Sequence, residues 1–101
     1  MANILCIGAS VLDEIFRVEE FPQRDIKMRA NAFLTTGGGC AANAAVAIAR
    51  LGGRARLVAP LGGPAGEDAI GDRILAMLAK EGVDCSMSVR CPGAPSPISA
   101  I

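Results

Sequence analysis

The chain opens with a continuous apolar run, Asn3 to Ser10 (NILCIGAS), that closes on Gly and small residues. A short run of this kind, bounded by turn residues, predicts a strand buried on both faces. Asp13 follows just beyond it, where open parallel sheets bind ligands outside the carboxyl ends of their strands. The pattern then changes to period two. Phe16 and Val18 alternate with Arg17 and Glu19, and later Met28, Ala30, Ala32 and Leu34 alternate with Lys27, Arg29, Asn31 and Thr35. Phe21-Pro22-Gln23-Arg24-Asp25 between them has turn chemistry. Two half-exposed, antiparallel strands are therefore predicted as an insertion after the first strand. An ordinary sheet edge, a covering flap and a dimer surface all fit that pattern.

Thr35-Thr36-Gly37-Gly38-Gly39 leads without a break into Cys40 to Leu51 (CAANAAVAIARL). The density of Ala predicts a helix, with Arg50 in its last turn and Gly52 placed to end it. Asn43 and Arg50 are its polar members, so burial on most faces is expected. Arg56 to Leu61 predicts the next strand and Gly62 to Glu67 a loop. Asp68 to Glu81 predicts a second helix, with Ile70, Ile74, Leu75 and Leu78 on one side and Gly82 as its stop. Val83 to Arg90 reads as a strand, Cys91 to Pro97 as a Pro-rich turn, and Ile98 to Ile101 as the start of another apolar segment. The expected order is β, inserted β-flap, α, β, α, β. Because the chain stops within an apolar run, it is expected to be part of a longer domain.

Composition narrows the class. The chain has 101 residues, of which 51% are hydrophobic, with three Phe and twelve Gly. That length allows one domain, and a core made mainly of Ala, Val, Ile and Leu suits close helix–sheet packing in an α/β protein. Formal net charge is zero, which argues against nucleic-acid and membrane partners. The charges are uneven, however. No Asp or Glu lies between Ile26 and Gly66, whereas Lys27, Arg29, Arg50, Arg54 and Arg56 do. Either a mildly positive region or buried apolar structure would produce that gap. Cys6, Cys40, Cys85 and Cys91 lack metal-ligand spacing and there is no His, so no metal site is expected. Free cysteines and the absence of a signal-like start point to a soluble, cytoplasmic protein.

The glycine triplet is the main candidate for chemistry. Backbone without Cβ atoms can approach a ligand closely and adopt positive φ, and the helix start that follows offers unpaired N–H groups. A tight strand-to-helix turn would use the same residues. The P-loop pattern fails because no Lys follows. Gly37, Gly39 and Ala42 fit the dinucleotide pattern GxGxxA, but the acidic residue expected about twenty positions on is missing. Arg54 or Arg56 would have to hold a 2′-phosphate instead, which leaves an NADP-binding oxidoreductase fragment as an alternative. Asn43 can offer a donor and an acceptor to a polar ligand, or it can satisfy the glycine backbone.

Gly37 to Gly53 (GGGCAANAAVAIARLGG) resembles the first signature of the PfkB/ribokinase-type carbohydrate kinase family. IGASVLDEI resembles that family's first strand, and LGGPAGEDAIG and Gly82-Val83-Asp84 follow in family order. The resemblance implies a ribokinase-like, Rossmann-like parallel-sheet α/β fold with a β-flap near residues 14–36, incomplete in this chain. Residues 1–101 would be the N-terminal, sugar-binding part of one kinase domain. The activity implied is phosphorylation of a sugar hydroxyl by ATP. Asp13 and Asn43 would bind substrate hydroxyls, and Gly38 and Gly39 would pack their backbone against the sugar. A homodimer formed through the flap is also implied. Val11 and Cys40 stand where ribokinases tend to carry a polar sugar contact and a Lys, which opens the substrate to fructose-like, sulfosugar-like or nucleoside compounds. The family's second signature, Gly-Ala-Gly-Asp with the catalytic base, is absent, so no catalytic residue is expected here and ATP with Mg2+ is expected mainly elsewhere. A stand-alone sugar-binding or regulatory domain is a further alternative.

Overall fold

A computed structural model describes residues 2–101. Strand β1 (Asn3–Ile7) pairs in parallel with β4 (Arg54–Val58), Asn3 opposite Arg54 through Ile7 opposite Val58. A parallel pair needs a crossover, and helix α1 (Cys40–Arg50) makes it, packing on both strands. A second parallel pair, β5 (Pro60–Gly63) with β6 (Val89–Pro92), is bridged by α2 (Ala69–Lys80). Between β1 and α1 lies the insertion. It consists of β2 (Val11–Arg17) and the antiparallel β3 (Ala32–Gly38), and on the other side of β2 the sheet is extended by the parallel β7 (Ile98–Ala100) from the far end of the chain.

Local chemistry explains the helices. Ala has the highest helix propensity, and α1 closes where Gly52 adopts φ +90° and the Gly53 N–H donates to the Ile48 carbonyl at 2.9 Å. In α2 the buried residues Gly71, Ile74 and Leu78 recur at three- and four-residue spacing, the stripe of an amphipathic helix. Gly82, at φ +85°, ends the chain's run past it. Ala42 and Ala45 of α1 meet Ala55 and Leu57 of β4, and Leu12, Ala59, Leu61, Ile74, Leu78 and Val83 complete the core. Small Ala side chains let α1 lie close to the sheet. Each fully buried Leu, such as Leu57 at 1% exposure, contributes about 1.5–3 kcal/mol.

Several sequence expectations need correction. The first strand is not buried on both faces: Ile4 and Leu5 are exposed and Ile7 is 72% exposed. Within the described residues β1 has one strand neighbour and one covering helix, so its other edge and face lie open. Asp13 follows the end of β1 and lies inside a further strand, β2. Residues 27–31 are not strand, and the pairing begins at Ala32, where the partner β2 begins to be available. Gly37 and Gly38 consequently belong to β3, and Gly39 alone makes the turn into α1. The segment Arg56 to Leu61 splits between two sheets. Val83 to Arg90 forms only a bridge from Asp84 to Arg56 before β6 starts. Helix α1 is also less covered than expected, with Ala42 and Ala45 buried and Asn43 exposed.

Candidate functional site

The register of the inserted sheet sets Thr36, Asp13 and Ser99 side by side in one row across β3, β2 and β7. Directly paired residues share a face of the sheet, so these three polar side chains line up. All three are half-buried. Ser99 Oγ donates a hydrogen bond to Asp13 Oδ1 at 2.5 Å. The other carboxylate oxygen lies against Gly38: a Cβ built there would collide with Asp13 Oδ2. Gly38 is buried, and the missing side chain is what makes room for the carboxylate.

Gly39 has a different reason to be glycine. Its φ is +96°, and a Cβ there would run into the backbone carbonyl of Ala9. The same carbonyl accepts the Ala42 N–H at 3.3 Å, which engages one of the free donors of the first turn of α1. The loop after β1 is thereby clamped to the start of the helix.

Asn43 sits one turn into α1, its N–H donating to the Gly39 carbonyl at 2.8 Å. With Ser10, Thr36 and Gly37 it lines one end of a groove of about 430 Å³ between α1 and α2. Val46, Ile74 and Leu78 form the apolar wall. At the far end Arg50 donates through Nε and Nη2 to the Glu81 carboxylate, at 2.8 and 2.5 Å. Those bonds hold the Glu81 carboxyl below its ordinary value and raise Arg50. Asp13 does not line the groove. Thr36 does, and it is also Asp13's register partner, so Thr36 links the Asp13 row to the groove that Asn43 lines, while Gly38 and Gly39 lie outside that lining.

A second polar cluster ties the far end of the chain to α2. The Ser96 hydroxyl donates to Asp68 Oδ2 while its N–H donates to the same oxygen at 3.1 Å. The hydroxyl bond does most to hold the Asp68 carboxyl below its usual range. Arg90 bridges to the Gly62 carbonyl (2.5 Å) and to Asp72 Oδ1 (2.9 Å). Its partners are backbone and structural carboxylates, so the cluster locks β5, β6 and α2 together.

The profile described as pfkB family carbohydrate kinase matches residues 1–101. The chain belongs to that family. It is 36% identical over 86 residues to a ribokinase of Schizosaccharomyces pombe, covering 83% of this chain and 27% of the relative. It is 39% identical over 62 residues to a nucleoside kinase of Methanocaldococcus jannaschii, covering 61% and 20%. Among solved structures, a candidate ribokinase from Agrobacterium tumefaciens superposes with a TM-score of 0.89 at 40% identity, over 99% of this chain and 31% of that one. The fold is therefore ribokinase-like, and the chain spans under a third of the length of each of these relatives.

This fold also removes the dinucleotide alternative. A dinucleotide fingerprint turns out of a parallel strand, whereas Gly37 and Gly38 end a strand antiparallel to its neighbour. Among the described residues no group of three or more His, Cys, Asp or Glu is placed to hold a metal ion. All four cysteines are free, and burial pushes the Cys85 thiol up from its ordinary value. Ser99 and Thr36 were not legible as site residues. The available signal for Ser99 was its interruption of the apolar run Ile98–Ile101.

Proposed function

We propose that the protein containing this chain transfers the γ-phosphoryl group of ATP to a hydroxyl of a sugar or nucleoside, and that residues 1–101 are its sugar-binding part. The observation carrying this is the half-buried Asp13 carboxylate laid against Gly38 in a polar row, within a chain matched along its length by the family profile. An ionised carboxylate accepts charge-assisted hydrogen bonds from hydroxyl groups. Gly38 leaves the space that the Asp13 carboxylate occupies, Gly39 makes the tight turn into α1 beside it, and the exposed Asn43 amide adds a donor and an acceptor. Magnesium would come to the site with the nucleotide, since among the described residues no group of three or more His, Cys, Asp or Glu is placed to hold it. When bound with ATP, the metal neutralises charge on the phosphates, and in this reading both lie mainly outside residues 1–101.

Phe16 and Phe33, with ring centroids 5.0 Å apart, are exposed on one face of the inserted sheet, which favours a homodimer through the flap. No described helix is long and apolar enough to cross a membrane, and four free cysteines favour a reducing cytoplasm. The test of the activity is a screen of the full-length protein with ATP and Mg2+ against D-ribose, D-fructose and inosine. Asp13→Ala should weaken binding of the accepted compound about 10- to 100-fold, with ATP affinity unchanged. Normal sugar binding by a folded Asp13→Ala protein would remove the assignment.

A further inference from the structure

We infer that Ser99 is a positioning residue for Asp13, holding one carboxylate oxygen so that the other acceptor sites face a polyhydroxyl substrate. The inference rests on the reading of Asp13 as the sugar-binding carboxylate. An Asp side chain has two rotatable bonds, and a carboxylate on a half-exposed strand is free to turn unless something holds it. Here the Ser99 hydroxyl holds Oδ1 at 2.5 Å, and the open space over Gly38 receives Oδ2. A carboxylate has about four lone-pair sites. One is taken by Ser99, which leaves the others for ligand hydroxyls.

The backbone delivers that hydroxyl to a fixed place. Strand β7 is laced to β2 on both sides of Ser99: the Leu12 N–H donates to the Pro97 carbonyl at 3.1 Å, and the Ile101 N–H to the Glu14 carbonyl at 2.8 Å. The Phe16 N–H closes the ladder on the Ile101 carbonyl at 2.7 Å. Residues 86 positions apart in sequence thus share one register row. Thr36, on the other side of Asp13, makes no side-chain hydrogen bond to it among the described residues, so Ser99 alone orients the carboxylate from within this chain.

The test compares Ser99→Ala, Ser99→Thr and Ser99→Val in the full-length protein, alone and combined with Asp13→Ala. Turnover of D-ribose, D-fructose and inosine with ATP is measured beside thermal melts. Ser99→Ala should raise the KM for the accepted compound about 3- to 10-fold, leave the KM for ATP unchanged, and add nothing once Asp13 is Ala. Ser99→Thr should stay within about twofold of the unaltered protein. Should the Ala variant fail to fold, the Thr and Val pair, alike in shape, isolates the hydroxyl. An unchanged KM in Ser99→Ala, with Asp13→Ala still impaired, overturns positioning and spares the proposed function. A full Ser99→Ala effect on top of Asp13→Ala shows direct contact with substrate and also overturns it. If Asp13→Ala binds normally, or the unaltered protein turns over none of the three compounds, the underlying reading fails and this inference with it.

Discussion

Three consecutive glycines, each changed to alanine, should give three different results. At Gly37 a Cβ would meet nothing within 4 Å and the backbone φ is not positive. Gly37→Ala should therefore change stability by no more than about 0.5 kcal/mol. At Gly38 the obstacle is the Asp13 carboxylate, the end of a short side chain that can swing away. Gly38→Ala should cost little stability, about 1 kcal/mol or less, but should raise the sugar KM because the carboxylate must leave its seat. At Gly39 the obstacle is the Ala9 carbonyl, which is backbone, and φ is +96°. Left-handed backbone costs an L-residue about 1–2 kcal/mol, and a collision that backbone must absorb costs about 1–3 kcal/mol. Gly39→Ala should accordingly lose about 2–5 kcal/mol.

Denaturant melts of the three variants in the full-length protein, followed by circular dichroism, separate these outcomes, and steady-state kinetics give the sugar KM of each. Equal midpoints for Gly37→Ala and Gly39→Ala would refute the strand-to-turn boundary placed between Gly38 and Gly39. A Gly38→Ala protein with an ordinary sugar KM would refute the contact between Asp13 and Gly38.

Arg90→Ala should destabilise by about 1–3 kcal/mol, because the Gly62 carbonyl loses its partner in a packed site. Arg90→Lys should recover only part of this in the same melts, since an ammonium lacks the planar fork. The Asp68 carboxyl is held below its ordinary value, so its contribution is present above the unfolded range near pH ~3.9 and fades as pH falls through the lower folded value. The stability difference between the unaltered protein and Asp68→Asn should thus be constant at neutral pH and shrink below about pH 4. A difference that grows on acidification in melts from pH 7 to 3 would contradict that sign. The 101-residue chain by itself should associate, because Ile4, Leu5 and Ile7 lie exposed on a strand with an open edge. Light scattering showing a monomer with a sharp melt would oppose it.

The features legible in the sequence were those set by local chemistry. An Ala-rich run ended by Gly52, and an amphipathic run ended by Gly82, gave helix limits within one or two residues of α1 and α2. Strands were harder, because a strand exists only with its partner. Lys27 to Asn31 alternates as well as Ala32 to Thr35 does, yet only the latter lies opposite β2. The apolar run Asn3 to Ser10 predicts a doubly buried strand, but apolar sequence records the burial a strand is suited to, and among the described residues Ile4, Leu5 and Ile7 stay exposed.

The site shows the same division more sharply. Gly38, Gly39 and Asn43 stand out because a glycine triplet and a lone amide in an Ala-rich helix are unusual in themselves, and Asp13 because it follows the first apolar run and matches the family's opening strand. Ser99 does not, since one Ser near a chain's apolar end has no local peculiarity, and its meaning arises from a register that joins it to Asp13 across 86 positions. Gly38 is the intermediate case. Its identity as glycine was visible, but the cause, an oxygen of Asp13 over its Cα, required the pairing of β2 with β3. A row of Thr36, Asp13 and Ser99 thus places on one sheet face what three separate stretches of sequence each show as an ordinary polar residue. The inserted strands accordingly do more than cover a site: they hold the carboxylate that the proposed substrate would meet.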